Sequence, residues 1–349
     1  MNNLATLPRH PNGDIRYPRG WFIIGTSNDF APGEPVRMKY FEQELVGYRG
    51  LDDGIVHVLD GYCPHLGAHL AVGGIVEGNN IRCPFHKWQF NNEGQCIDIP
   101  YAKKIPPKAC TRRWHTHESH GWVFIWHDPQ RNAPLYEIPV LEEVGQPEWS
   151  QWITRRLEIK THPREIIENV ADKAHFVYVH GFEKILAFSN EYDGHLATQN
   201  MEGLSKFGQV NRTRATYYGP AYQITWMDGV MKSRLVNANT PIDANTVHLW
   251  FGVMLKREPI SAETKTLLEM MFAERDVNVG ADISDEHLEA VQMAYVEATR
   301  SGFDEDVAIW QNKLYRTDPV LCDGDGPLAK LRKWYSQFYT DIETTKEAG

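Results

Sequence analysis

Two short runs in the chain each pair a cysteine with a histidine: Cys63-Pro64-His65 and Cys83-Pro84-Phe85-His86. A proline directly after each cysteine stiffens the turn. Two such turns facing one another offer two sulfurs and two imidazole nitrogens to one metal centre. A tetrahedral zinc ion accepts that donor set. Zinc fingers, however, pair Cys with Cys and His with His, whereas each pair here is mixed. The mixing suits a binuclear iron–sulfur centre in which one iron takes both sulfurs and the other both nitrogens. Neutral imidazoles in place of two thiolates raise the reduction potential of such a centre.

A second set of metal-competent residues lies a hundred residues on, over Glu168-Asn169-Val170-Ala171-Asp172-Lys173-Ala174-His175-Phe176-Val177-Tyr178-Val179-His180. Asn169, Asp172 and His175 recur every third residue and share one helix face. His175 and His180 are five apart, about 140° around an ideal helix. Both reach one ion only if the helix ends or distorts between them, and the β-branched and aromatic run Phe176-Val177-Tyr178-Val179 favours such a break. Taken alone, two unrelated histidines on an amphipathic segment remain the alternative.

These residues need a scaffold, and the pattern around them changes partway along the chain. The first 150 or so residues read as short strands separated by Gly, Asp and Pro: 21–25, 44–48, 55–59 and 121–126. Pro129, Pro134, Pro139 and Pro147 mark an irregular connection. Helix-like content follows over 163–180, then strands over 205–218, 221–228, 231–239 and 246–256. Ser261 opens a helix, and Ser284-Asp285-Glu286 opens a second that Gly302 is expected to end. Phe303–Leu314, with Asp304 at its N-cap, and Leu328–Tyr339 are expected as two more. The boundary is placed at 152, with an all-β domain over 1–152 and an α+β domain over 153–349.

Composition bounds what such a protein can do. The chain has 349 residues, 42% of them hydrophobic, which suffices for a sizeable core. Its formal net charge of −10 argues against general nucleic-acid binding. Five cysteines form no disulfide framework; Cys96, Cys110 and Cys322 are expected as free, buried thiols. No apolar run is long enough for a signal peptide or a membrane span, so a cytoplasmic protein is expected. Lys87, Lys103, Lys104, Arg112 and Arg113 put positive charge around the first half, where it could dock an acidic electron donor.

With their continuations Leu66-Gly67-Ala68-His69-Leu70 and Lys87-Trp88, the two Cys–His runs resemble the loops of Rieske [2Fe–2S] proteins of the oxygenase and ferredoxin type. The N-x-x-D-x-x-H-x4-H stretch resembles the mononuclear-iron motif of Rieske non-haem iron oxygenases. Stretches that bind no metal extend the likeness to the 3-ketosteroid 9α-hydroxylase family, among them Ile99-Pro100-Tyr101-Ala102, Trp126-His127-Asp128-Pro129-Gln130 and Trp334-Tyr335-Ser336-Gln337-Phe338-Tyr339.

The resemblance implies an all-β Rieske domain followed by a catalytic domain of antiparallel sheet plus helices, helix-grip-like. Cys63, His65, Cys83 and His86 would hold the cluster, with His69 a hydrogen-bond donor behind them and Trp88 shielding packing. His175 and His180 would bind Fe(II) with a late carboxylate, leaving positions for O2. Asp306, in the context Glu305-Asp306-Val307, is favoured over Asp304 for that role. Asp172 would bridge His175 to a cluster histidine (His65 or His86) of the next subunit in a homotrimer. Electrons would come from NAD(P)H through a flavin or iron–sulfur reductase, or a ferredoxin. The implied activity is hydroxylation of a bulky apolar substrate, a steroid, with demethylation or dihydroxylation of an aromatic or terpenoid as alternatives. A non-catalytic Rieske electron-transfer protein and a zinc structural protein are the readings from other classes. Tyr178, Tyr218, Trp226, Phe251 and Trp310 are the candidate pocket walls.

Overall fold

The computed structural model describes residues 7–9, 15–259, 261–272 and 285–341. It divides into two compact units: Arg19–Val140 with Thr240–Ala244, and Met1–Pro18, Leu141–Asn239 and Asn245–Gly349. The chain leaves the first at Val140, inside the proline-marked connection.

The first unit is all-β. Its strands are β1 (Gly20–Thr26), β2 (Val36–Tyr40), β3 (Gln43–Arg49), β4 (Val56–Asp60), β5 (Ile75–Glu77), β6 (Asn80–Arg82), β7 (Gln89–Phe90), β8 (Cys96–Asp98), β9 (Arg113–Trp114), β10 (Thr116–Ser119) and β11 (Trp122–His127). They form three sheets, ordered β1-β11-β10, β2-β3-β4-β9 and β5-β6-β7-β8. Strand β11 is buried along its whole length, which explains its unbroken apolar sequence. The loops before β5 and between β6 and β7 carry the two Cys–His runs.

The second unit contains β12 (Ile153–Ile159), α1 (Pro163–Ile167), α2 (His175–Tyr178), β13 (Lys184–Asp193), β14 (Leu196–Leu204), β15 (Val210–Tyr218), β16 (Tyr222–Asp228), most of β17 (Lys232–Asp243, whose last four residues belong to the first unit), β18 (Thr246–Leu255), α3 (Ala262–Met271), α4 (Asp285–Trp310) and α5 (Leu328–Ser336). Seven strands form one antiparallel sheet in the order β12-β18-β17-β16-β15-β14-β13. Leu288, Val291 and Ala294 of α4 pack on Phe251, Val253 and Leu255 of β18. The α+β expectation for this half is met.

Three local expectations are corrected. The segment 163–180 is not one helix: α1 passes into a single 3-10 turn, Glu168–Val170, and α2 begins only at His175. Gly302 does not end a helix, nor does Asp304 begin one; α4 runs through both to Trp310. A mid-helix glycine costs about 1 kcal/mol, which the packing of Phe303 and Trp310 on the sheet offsets. Of the three spare cysteines only Cys96 is buried, while Cys110 and Cys322 are exposed. Ser261 caps α3 as expected, its side chain accepting from Thr264 N, and Ser284 lies outside the described residues.

The basic patch is thinner than its sequence suggests. Arg112 lies over the Trp114 ring, 3.9 Å from its centroid, and Arg113 is bonded to Glu93 at 2.6 Å. Lys87, Lys103 and Lys104 remain exposed. Among the described residues, no helix is long and apolar enough to cross a membrane.

Candidate metal centres and substrate cavity

The two Cys–His loops are built alike. The amide of the fifth residue closes each back onto the cysteine carbonyl: Gly67 N to Cys63 O at 3.0 Å and Lys87 N to Cys83 O at 3.2 Å. Those fifth residues have positive φ, 75° and 62°, a conformation native to glycine and strained for lysine. Each cysteine amide in turn bonds the carbonyl one residue further on, Ala68 and Trp88. The result is a pair of matching cups. The buried sulfurs of Cys63 and Cys83 adjoin, and the rings of His65 and His86 lie edge to face with centroids 4.8 Å apart. Burial, reinforced by the Cys83 sulfur, pushes the Cys63 thiol up to about 12, so a bound cation is needed to hold Cys63 as a thiolate. His86 Nδ1 is buried with no protein partner. His65 stacks on Trp88 at 4.6 Å, and Trp88 Nε1 donates to Tyr101 Oη at 2.8 Å. His69 turns away from the cup: its Nδ1 accepts from Ala71 N and its Nε2 lies 3.4 Å from Glu44.

Among the described residues, the one group gathered tightly enough to hold a single ion is His175, His180 and Asp306, with ligand atoms within 4.8 Å of one another. The four cup residues do not converge in that way. A sulfur pair and a separate nitrogen pair fit a two-iron cluster better than one zinc ion.

Several local devices bring the triad together. His162 and Pro163 start α1, the His162 ring accepting from Arg164 N. Asp172 breaks the run, as its Oδ1 accepts from Ala174 N at 3.1 Å and His175 N at 3.3 Å and so caps α2. The imidazole of His175 donates from Nδ1 to the main-chain carbonyl of Asp172, which leaves Nε2 free for a metal. The carbonyl, not the carboxylate, therefore orients the ring within this chain. Helix α2 ends at Tyr178, and Gly181 with φ 67° turns the chain, so His180 swings back to face His175, ring centroids 5.1 Å apart. Continuity of α4 sends the two aspartates to opposite sides of the helix. Residues two apart on a helix point about 200° from each other. Asp306 is 6% exposed and lies 3.4 Å from His180 Nε2, whereas Asp304 points outward beside Arg300. Glu305 Oε2 stands 3.4 Å from His180 Nδ1.

Burial lowers the His175 pKa; at His180 burial opposes, but hydrogen bonds and charge from Asp306 and Glu305 outweigh it and raise the value. Gly326 presses on the same segment: a Cβ there would lie 1.7 Å from the carbonyl oxygen of Ala171, beside Asp172. Gly326→Ala is expected to destabilise the protein by about 3 kcal/mol, visible as a lowered Tm in thermal denaturation.

The triad sits on the wall of a cavity of about 260 Å³. Its floor is one face of the sheet, supplied by alternate residues: Gln199 and Met201 of β14, Ala215 and Tyr217 of β15, Gln223 and Thr225 of β16, Leu235 and Asn237 of β17. Phe176, Phe182, Phe303 and Trp310 complete it. An adjoining cavity of about 380 Å³ shares His180, Phe182, Thr213 and Met227 with it, and together they fall in the range of small-molecule sites.

Of the five aromatic wall candidates, Trp310 lines the cavity, its Nε1 donating to Asn169 at 3.2 Å. The other four lie elsewhere. Tyr218 and Trp226 have the wrong parity on their strands, and Trp226 lines a separate groove with Phe188 and Arg214. Phe251 is sealed beneath α4 against Phe303, and Tyr178 is 87% exposed. The polar floor residues Gln223, Thr225 and Asn237 escape a search for large aromatics; strand alternation is the signal that finds them.

Comparison with known proteins finds a family match for each half of the chain. Residues 20–109 match the Rieske [2Fe-2S] domain, and residues 125–283 and 259–339 match the 3-Ketosteroid 9alpha-hydroxylase C-terminal domain. The chain is 36% identical over 352 residues to a 3-ketosteroid-9-alpha-monooxygenase, oxygenase component, of Rhodococcus rhodochrous, spanning 95% of this chain and 84% of that protein. Against the protein of the same name from Mycobacterium tuberculosis it is 33% identical, over 95% and 84%. The cholesterol 7-desaturase of Hemicentrotus pulcherrimus is 30% identical, over 95% and 72%. In fold the chain is similar to Pseudomonas putida CBB5 NdmA with caffeine, at TM-score 0.70 and 18% identity over 93% of this chain and 96% of that one. It is likewise similar to dicamba monooxygenase, at TM-score 0.64 and 18% identity over 92% and 96%.

Proposed function

The chain belongs to the Rieske non-haem iron oxygenases, in the 3-ketosteroid 9α-hydroxylase family, and from that premise we propose that it hydroxylates a steroid or a closely similar polycycle. It is a terminal oxygenase, which takes electrons from a reductase partner and uses O2. The observation that carries the substrate reading is the convergence of His175, His180 and Asp306 on the wall of a largely apolar cavity.

Cys63, His65, Cys83 and His86 would hold the [2Fe–2S] cluster, and His175, His180 and Asp306 the Fe(II). When bound, these groups supply single electrons and O2 activation, so that one oxygen atom enters a C–H bond and the other leaves as water. The protein's residues do the rest. The Asp172 carbonyl fixes the His175 tautomer, and Phe176, Phe182 and Phe303 keep water from the cavity. Trp310 ties the cavity wall to Asn169, and the sheet floor orients the substrate.

We further propose a cytoplasmic homotrimer fed from NAD(P)H by a flavin or iron–sulfur reductase, or through a ferredoxin. In it the carboxylate of Asp172 would face a cluster histidine, His65 or His86, of the neighbouring subunit. The exposed Phe85, Leu66 and Tyr178, 59%, 64% and 87% accessible in the single chain, support a covering neighbour.

Incubation with a surrogate reductase, NADH and a panel of steroids, terpenoids and methoxy-aromatics tests the reading. Dioxygen uptake coupled to a steroid product is expected, and mass spectrometry separates a hydroxylated product from a desaturated or demethylated one. Coupling to a methoxy-aromatic alone would overturn the steroid assignment.

A further inference from the structure

A third cavity, of about 270 Å³, lies in the second unit and shares no lining residue with the two beside the triad. The stretch from α1 into the 3-10 turn separates it from the substrate cavity. Ile166, Asn169 and Val170 line that one, whereas Arg164, Ile167 and Glu168 line this one. Helix α5 and its continuation supply the other side with Leu331, Arg332, Tyr335 and Tyr339, and Tyr315 lies between.

Charge around this cavity is unbalanced. Glu168 accepts from Arg332 Nε at 2.7 Å and from Lys313 Nζ at 3.1 Å. Glu165, 1% exposed, lies 3.0 Å from Lys313 Nζ and 3.5 Å from Arg164 Nε. Three cations thus meet two carboxylates, and an uncompensated charge is costly where it is buried. Arg164, at 6% exposure, and Arg332 both lie over the Tyr315 ring, 3.7 and 4.4 Å from its centroid, which fixes where the guanidiniums stand.

Two phenols add donors. Tyr335 is 6% exposed, and the hydroxyl oxygens of Tyr335 and Tyr339 are both buried. The two hydroxyls adjoin, yet among the described residues neither makes a hydrogen bond of good geometry. Burial keeps both protonated. Such a pair can commit at most one of its two protons internally, so at least one buried O–H lacks an acceptor. That is costly unless something absent from the free chain accepts from it.

We infer that this cavity is a second small-molecule site, for a compact monoanionic carboxylate whose oxygens are held by Arg164 and the phenols of Tyr335 and Tyr339. One surplus positive charge matches a monoanion. Ile167 and Leu331 offer an apolar wall that inorganic phosphate could not use. The volume lies just below the usual range of drug-sized ligands, which calls for a single ring or a short chain. The occupant is not the molecule attacked, because the Arg164–Glu168 stretch stands between it and the triad. It braces the segment that leads to Asp172 and His175. The inference does not depend on the steroid reading.

The test is calorimetric titration of the purified holoprotein with benzoate, neutral benzamide and inorganic phosphate. Benzoate is expected to bind roughly tenfold or more tightly than either, and to raise Tm. Tyr335→Phe and Tyr339→Phe keep the rings and should each weaken benzoate about tenfold. Because no partner within the chain is lost, neither variant should lower Tm when benzoate is absent. Three results overturn the inference: no binding of benzoate, binding no tighter than that of benzamide or phosphate, or binding that both variants leave unchanged. So does a lowered Tm in both variants without benzoate, which would show the hydroxyls to be committed within the fold.

Discussion

His175→Ala is expected to lower coupled substrate oxidation by at least about a thousandfold while leaving the brown colour of the cluster intact. The ring is buried, its Nδ1 is committed to the Asp172 carbonyl, and its Nε2 is left for the proposed metal. Without it two donors remain, too few for the iron, so iron content should fall from about three to about two per chain. Asp306→Ala should behave in the same way. Asp304→Ala, on the opposite side of the same helix, should keep activity within about twofold. A His175→Ala protein that retains the third iron and its turnover would refute the assignment. Absence of the third iron from the wild type would point to an electron-transfer protein.

Asp172→Asn should separate the hydrogen bonds this side chain makes to α2 from the role proposed for its charge. Asparagine keeps an Oδ1 that can accept from Ala174 N and His175 N, so the cap on α2 survives. What is lost is the negative charge proposed to face the neighbouring subunit. Turnover is therefore expected to fall by about a hundredfold or more with iron content and Tm unchanged. Stopped-flow reoxidation of the reduced cluster in the presence of substrate and O2 should slow in parallel. Asp172→Ala removes the cap as well, at a cost of about 1 kcal/mol, and should also retain iron poorly. Unaltered reoxidation in Asp172→Asn would reduce the residue to a helix cap.

Much of this molecule was legible in one dimension, for reasons that differ from part to part. The cup residues are legible because a cluster needs specific donors at short, fixed spacing, and Gly67 and the two prolines mark the turns that hold them. Strands β1, β4, β11 and β18 carry apolar, β-branched or aromatic runs, and β3, β15, β16 and β17 carry shorter interrupted ones. Strands β13 and β14 do not: one is largely exposed, and the other turns Gln199 toward the cavity, where an apolar residue would have completed the alternation. The course of α4 is hidden in the sequence because Gly302 and Asp304 are a stop and a cap in isolation, and only packing on β12 and β18 overrides them. Size alone does not find the cavity wall; on a strand, parity decides which face a side chain joins, and Tyr218 and Trp226 have the wrong one.

The uninterrupted course of α4 ties the place of the proposed iron ligand Asp306 to events far from it. Asp306 inherits its position from a rigid rod whose other end is clamped by Leu288 and Val291 on β18 and by the bond from Gln292 to the Val253 carbonyl. A rod anchored at one end converts a slight tilt there into a larger sideways travel at the other, as an oar does at its blade. Divergence among relatives can therefore retune metal affinity without altering a single ligand, through core substitutions that look like ordinary repacking.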